Sequence, residues 1–138
     1  MKSFILTMLF VATPFVVGCG GNDTPPPQCT GTSCTCPAQT SCAIGDSTCS
    51  ASSCTLACVD MNDCTGSCGE SCSVSCKGGS TCDVTVGASG SMSCDGGAMC
   101  TLHCTGSCSL SCVAGSTCNL QCAGDSAPHA VTQGGSCG

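Results

Sequence analysis

The chain has 138 residues, of which 21 are cysteine and 19 glycine; it has three phenylalanines, no tyrosine or tryptophan, and two lysines or arginines against eight acidic side chains, for a net charge of -6. So few cations and rings exclude nucleic acid, whose binding needs several Lys or Arg to displace counterions and usually aromatic side chains for stacking. Recognition of glycans or bases on stacked rings is excluded with it.

The first stretch, MKSFILTMLFVATPFVVGC, has one basic residue (Lys2), an apolar run from Phe4 to Val17 and small residues just before Cys19. This is the three-part pattern of an export signal. A membrane-spanning helix needs about 20 apolar residues, and this run is shorter and interrupted by Pro14. The Val16-Val17-Gly18-Cys19 end resembles the lipobox of bacterial lipoprotein signal peptides. That resemblance implies a signal peptide over 1–18, cleavage before Cys19 and lipidation of Cys19 with diacylglycerol and palmitate. Gly20 is not the Asp associated with inner-membrane retention, so the implied destination is the outer membrane of the cell envelope, facing the periplasm or the exterior. Loss of residues 1–18 removes Phe4, Phe10 and Phe15, the only aromatics, and Lys2. Lys77 then stands alone against eight carboxylates, a side-chain charge of -7 (one cation, eight anions).

Residues 19–35 read as the lipidated cysteine and a Pro-rich tether; within them GGNDTPPPQ (20–28) carries two glycines and three prolines that favour an extended segment. From Cys29 to Ser53 the cysteines are irregularly spaced, with a Cys34-Thr35-Cys36 pair, which suggests an N-terminal cap and one degenerate coil. The solenoid is assigned to 36–125, and its clear repeats run from 54 to 125 as four gapless 18-residue rows: CTLACVDMNDCTGSCGES, CSVSCKGGSTCDVTVGAS, GSMSCDGGAMCTLHCTGS and CSLSCVAGSTCNLQCAGD. Each row holds two segments of the form C-x-Φ-x-C, with Φ usually Leu, Val or Met, joined by a five-residue turn and then a three-residue turn.

In such a segment the first, third and fifth positions are apolar and the other two small and polar, the period-2 pattern of a half-buried strand. A helix would scatter the three apolar positions, and Ser, Thr and Gly are weak helix formers. A fixed period of this size marks a solenoid whose coils bury their inner faces by stacking. The expected fold is therefore all-β: a disulfide-stapled two-sheet β-solenoid of about four to five 18-residue coils. Leu56, Val74, Met92 and Leu110 form one inner column, and Gly66, Val84, Leu102 and Leu120 the opposite one. Gly79, Gly97 and Gly115 recur in the five-residue turn, as a positive φ there would require. Residues 126–138 lose the alternation and read as a closing tail.

With Cys19 set aside, 20 cysteines remain, an even number in an exported chain and so a disulfide framework of up to ten bridges. Two aliphatic side chains per coil are too few to offset the entropy of ordering that coil, whereas a short-loop disulfide contributes roughly 2 to 3 kcal/mol. One coil has Val86 where others have Cys, and the next has Gly90 in place of Cys. These two positions flank one three-residue turn, and their joint loss is what a bridge across that turn predicts. The pairing is thus Cys68 with Cys72 and Cys104 with Cys108. The same local logic joins Cys58 with Cys64, Cys76 with Cys82, Cys94 with Cys100, Cys112 with Cys118, and Cys122 with Cys137. The alternative joins Cys54 with Cys68 and Cys108 with Cys122.

Metal binding competes for so many cysteines. The chain has no C-x-x-C knuckle of the kind zinc sites use, and its export and alternating placement disfavour a thiolate cluster. Asp60, Asn62 and Asp63 could offer calcium hard oxygens, yet the other turns lack them, and the Gly-rich Asp nonapeptide of calcium-binding 18-residue coils is missing. No metal or other cofactor is expected. His103 lies at an outward strand position and His129 in the tail, with no repeated acid or base beside either, so both read as solvated and no catalytic set is assembled. Lys77 and Asp95 share a column and are expected to form an exposed ion pair.

The outward positions of the first strand of each coil are Thr55 and Ala57, Ser73 and Ser75, Ser91 and Ser93, Ser109 and Ser111, seven of eight carrying a hydroxyl. Stacking would repeat them every ~4.8 Å along the axis and about 7 Å along the strand. The opposite sheet (Thr65, Ser67, Asp83, Thr85, Thr101, His103, Asn119, Gln121) is mixed. The uniform face resembles the insect antifreeze solenoids, which are also Cys-stapled and present Thr ladders to ice, but coil length and the use of Ser differ. The sequence thus points first to a lipid-anchored, non-enzymatic surface scaffold with an unspecified protein or surface partner. Second comes an ice- or surface-binding module using Thr55, Ser73, Ser75, Ser91, Ser93, Ser109 and Ser111, and third a calcium or thiolate binder.

Overall fold

The structure, a computed structural model, describes residues 53–60 and 62–138 together with the backbone of three short strands before them. These three are β1 (Gln28–Thr30), β2 (Ser33–Thr35) and β3 (Ser41–Ile44). The repeat region supplies β4 (Thr55–Cys58), β5 (Asp63–Cys68), β6 (Ser73–Cys76), β7 (Thr81–Val86), β8 (Gly90–Cys94), β9 (Met99–Cys104), β10 (Cys108–Cys112) and β11 (Thr117–Gln121). The tail adds β12 (His129–Val131) and β13 (Gly134–Cys137). The signal peptide, Cys19 and most of the tether lie outside the described residues.

Each C-x-Φ-x-C segment is a strand, and successive strands alternate between two sheets. The seven-stranded sheet runs β1-β2-β4-β6-β8-β10-β13 and the six-stranded sheet β12-β11-β9-β7-β5-β3. From β4 to β11 every neighbour is parallel and displaced by one whole repeat, so Leu56 faces Val74, Val74 faces Met92, and Met92 faces Leu110. Val84, Leu102 and Leu120 stack likewise in the other sheet. These seven side chains are 0–3% exposed and, with the half-cystines, form one continuous core. The alternation inside out is what the pleat dictates: β10 reads buried, exposed, buried, exposed, buried along Cys-Ser-Leu-Ser-Cys.

The five-residue turns stack as tightly as the strands. Gly78 and Gly96 both adopt left-handed φ, 66° and 64°, and a Cβ on Gly96 would lie 3.1 Å from the Gly78 nitrogen of the coil before. Both the backbone conformation and the packing therefore call for glycine. Asp60, one coil earlier in the same column, takes φ 62°, and Asp is among the few side chains that tolerate it.

At both ends the fold adds strands to what the sequence discloses. The sheet begins at Gln28, inside the stretch assigned to the tether: β1 pairs antiparallel with β2, and β2 pairs parallel with β4 through Ser33↔Thr55 and Thr35↔Ala57. The step from position 33 to position 55 is wider than the repeat, and β3 makes the same step onto β5 with Ser41↔Asp63. The first coil is thus longer than the regular period, which makes it the degenerate coil that the cysteine spacing suggests. The tail is likewise built of strands: β12 lies antiparallel on β11 and β13 antiparallel on β10, closing both sheets. A side chain at Gly134 would run into the Leu110 carbonyl, and one at Gly135 would stand 2.9 Å from Leu120 Cδ2. The cap is glycine-rich because it lies flat on the last coil.

Val86 and Gly90 show how a coil closes without a bridge. A Cβ on Gly90 would lie 2.7 Å from both Cβ and Cγ2 of Val86, and Val86 is 0% exposed. The valine side chain fills the space over the glycine. Gly90→Ala is therefore expected to destabilise the domain by about 1 to 3 kcal/mol through overpacking. The Val86→Cys, Gly90→Cys pair should instead form a third bridge of the Cys68–Cys72 type, supplying about 2 kcal/mol. Guanidinium denaturation midpoints and the intact-mass loss of two hydrogens check both, and wild-type stability in Gly90→Ala would refute the packing.

Candidate functional site

The half-cystines are joined across the turns. Cys58–Cys64, Cys76–Cys82, Cys94–Cys100 and Cys112–Cys118 span the five-residue turns with Cα separations of 6.2–6.4 Å. Cys68–Cys72 and Cys104–Cys108 span the three-residue turns at 6.0 Å, and Cys122–Cys137 ties the cap at 5.5 Å. Cys54 is also disulfide-bonded. The sulfur atoms of Cys58, Cys76 and Cys82 lie within 4.8 Å of one another, but all three are spent in bridges, and a bridged sulfur offers no thiolate to a metal.

The hydroxyl side chains of the first strands come together on one face. Thr55, Ser73, Ser91 and Ser109 are aligned by backbone pairing in one rank, and Ala57, Ser75, Ser93 and Ser111 in the next. Thr55, Ser73, Ser109 and Ser111 are exposed; Ser75, Ser91 and Ser93 are half-buried. The first rank is longer than the sequence repeats suggest, because Ser136 of the cap stands in register with Ser109. The antiparallel cap breaks the period that would have revealed this position.

On the opposite sheet the structure corrects the reading of His103. Its Nε2 lies 3.0 Å from Asp83 Oδ1 and its Nδ1 2.5 Å from Gln121 Oε1. In register Asp83 faces Thr101 and Thr85 faces His103, so the pair forms on the diagonal, within reach of two long side chains. The Gln121 amide in turn donates to the Asp125 carbonyl at 3.0 Å, and the Asp125 carboxylate accepts the Cys122 N–H at 2.9 Å. A general base needs a free nitrogen within hydrogen-bond reach of a nucleophile, and both nitrogens of His103 are engaged. His129 lies 3.7 Å from the same Asp125 carboxylate.

Two further expectations change. Asn62 is not gathered with Asp60 and Asp63: it is 0% exposed, while both aspartates are exposed. Position 62 belongs to a buried column shared with Ser80 and Ala98, and the Asn62 N–H donates to Ser80 Oγ at 3.2 Å while that hydroxyl donates to the Lys77 carbonyl at 2.6 Å. Lys77 and Asp95 are not an ion pair; the Asp95 carboxylate turns onto its own turn and accepts the Gly96 N–H at 2.7 Å. Among the described residues the ion pairs are those of His103 and His129.

The His103–Asp83 pair is partly exposed, with side-chain exposures of 30% and 59%, and an exposed pair contributes at most about 1 kcal/mol. His103→Ala is therefore expected to leave the disulfide map unchanged and to lower stability by no more than about 1 kcal/mol, read from chemical denaturation; a much larger loss would make this pair a structural keystone. Compared with known proteins, the chain matches no family model, no curated protein and no solved structure.

Proposed function

We propose that this chain is a lipid-anchored, non-enzymatic protein of the bacterial cell envelope, carried to the outer membrane and serving there as a structural or interaction scaffold. The observation that carries the reading is the unbroken stack: coils in constant register, filled inside by aliphatic side chains and bridges, and faced outside by small polar ones. Seven strands in one sheet give a rod of about 29 Å at ~4.8 Å per step. Lipobox residues Val16 to Cys19 supply the anchor, and the tether spaces the rod from the membrane. Against catalysis stands His103, whose two nitrogens are both engaged.

The mature protein is expected to begin at Cys19 with diacylglycerol attached, measured by intact mass and by partition into detergent. A chain that begins elsewhere and stays in the aqueous phase would overturn the anchor and the localisation together. Cys19→Ser should release or stall export while leaving the solenoid able to fold.

A second reading is favoured by the length of the hydroxyl rank, in register from Thr55 to Ser136: a flat, uncharged lattice for an ordered surface such as ice. Ice affinity or thermal hysteresis of the oxidised domain, measured beside Ser75→Lys, Ser93→Lys, tests it. Loss of activity in the variant supports the lattice; equal behaviour of the two, or no activity in either, retires it.

A further inference from the structure

Where the last coil meets the cap, four half-cystines form a closed set. The sulfur atoms of Cys104, Cys108 and Cys137 lie within 4.8 Å of one another, and Cys122 is bonded to Cys137. Cys108 and Cys137 also face each other directly across the antiparallel β10 and β13. Gln121, the last residue of β11, is in register with His103, so Cys122, just beyond β11, follows alongside Cys104, the last residue of β9. Opposed residues of an antiparallel pair have Cα atoms about 4.5 to 5.5 Å apart and neighbouring strands lie about 4.7 to 4.9 Å apart, both within the roughly 4.4 to 6.8 Å that a disulfide usually spans. The four can therefore be joined in two ways: as Cys104–Cys108 with Cys122–Cys137, which the structure holds, or as Cys108–Cys137 with Cys104–Cys122.

Two further features single out this set. A cleft of about 460 Å³ opens on it, lined by Cys122 and Cys137 with Gly106, Ser107, Ser136 and Gly138. That volume lies in the range of small-molecule sites, and Cys122 is only partly buried there, whereas Cys58–Cys64, Cys76–Cys82 and Cys94–Cys100 are sealed at 0–1% exposure. The set is also insulated from the bridge before it. Val86 stands between Cys68 and Cys104 in one column, and Gly90 is the neighbour of Cys108 in the other, so exchange cannot pass down the stack.

We propose that Cys104, Cys108, Cys122 and Cys137 form a thiol-triggered exchange site, at which a small-molecule thiol enters the cleft and converts the two local bridges into two inter-strand bridges. A thiolate RS⁻ attacks Cys122 Sγ; the Cys122–Cys137 bond breaks, an RS–Cys122 mixed disulfide forms, and the electron pair leaves on Cys137 Sγ. The Cys137 thiolate attacks Cys108 Sγ, forming Cys108–Cys137 and expelling the Cys104 thiolate. Cys104 then attacks Cys122 Sγ, forming Cys104–Cys122 and releasing RS⁻ unchanged. Two disulfides are present before and after, with no net oxidation or reduction. The product bolts β9 to the end of β11 and β10 to β13, so cross-links that lay within the coil and its tail now run along the axis.

The test incubates the oxidised full chain with reduced glutathione, quenches it with acid and maps disulfides by fragmentation under non-reducing conditions. The expected result is the appearance of Cys104–Cys122 and Cys108–Cys137 while Cys58–Cys64, Cys76–Cys82 and Cys94–Cys100 persist. In a Cys104→Ala, Cys108→Ala variant the Cys137 thiolate has only Cys122 to return to, expelling glutathione again, so the Cys122–Cys137 bridge should persist. Persistence of the original two bridges in the wild type, equal scrambling of the sealed ones, or loss of Cys122–Cys137 in a folded variant would each overturn the proposal.

Discussion

A bridge across a turn fixes the one quantity on which this solenoid depends, the number of residues per coil. The inner columns form only if each residue meets its counterpart one full repeat later, because a slip of a single position would send every Leu, Val and Met to the solvent face. Cys76–Cys82 and Cys94–Cys100 each enclose a five-residue turn, and Cys104–Cys108 a three-residue one. Closing such short loops removes conformations from the unfolded chain that two aliphatic side chains per coil could not outweigh. Register is thus held covalently at the turns and passed to the next coil by backbone hydrogen bonds such as Ser73 N–H to the Cys54 carbonyl at 2.8 Å and Ser91 N–H to Cys72 at 2.7 Å.

Every bridge described between β4 and β11 spans a turn and none joins two stacked strands of one sheet, so cohesion along the axis rests on hydrogen bonds and on the stacked core. Such a stack is quasi-one-dimensional, each coil depending on its nearest neighbours. This explains how the Val86 and Gly90 turn can do without its bridge: the packing of a valine over a glycine holds it, and the coils on either side, each with its own bridges, impose the register. The two ends have a neighbour on one side only. At the C-terminal end the chain changes direction, with β12 and β13 lying antiparallel on the last parallel strands and Cys122–Cys137 holding them down.

Much of this was legible because the repeat writes the same instruction eight times. C-x-Φ-x-C at constant spacing discloses strand, inner face and stacking partner together, and the joint replacement at 86 and 90 even discloses which positions touch. What escaped the reading lacks a side-chain pattern. β13 is Gly-Gly-Ser-Cys, paired through backbone with its glycines pressed on Leu110 and Leu120, and alternation cannot be seen in residues without side chains. The first coil was legible only as a degenerate one, because its strands pair at a wider offset, Ser41 with Asp63, than the rows that follow. Asn62 looked like a turn residue beside two aspartates, and its burial is legible only from the column it shares with Ser80 and Ala98. The His103 and Asp83 contact runs along a diagonal, which an alignment of rows does not display.

Stacking every ~4.8 Å also restricts where charge can stand. Two carboxylates in successive coils at one position would repel by roughly 1 kcal/mol even in water, and a repeat that copied one Asp through all its coils would add that cost at every step. The acidic residues of the repeats avoid this arrangement. Asp83 has Thr65 and Thr101 as its neighbours in register, Asp63 has Ser41 and Thr81, and in the aligned rows Asp95 falls between Lys77 and Val113 and Glu70 meets Ala88. Each anion is thus separated from the next by neutral or basic positions, and only uncharged side chains recur without interruption. A face of repeated Thr and Ser is the composition a long parallel stack can carry on an exposed sheet without self-repulsion. Its regularity therefore has a structural cause, whatever surface it meets.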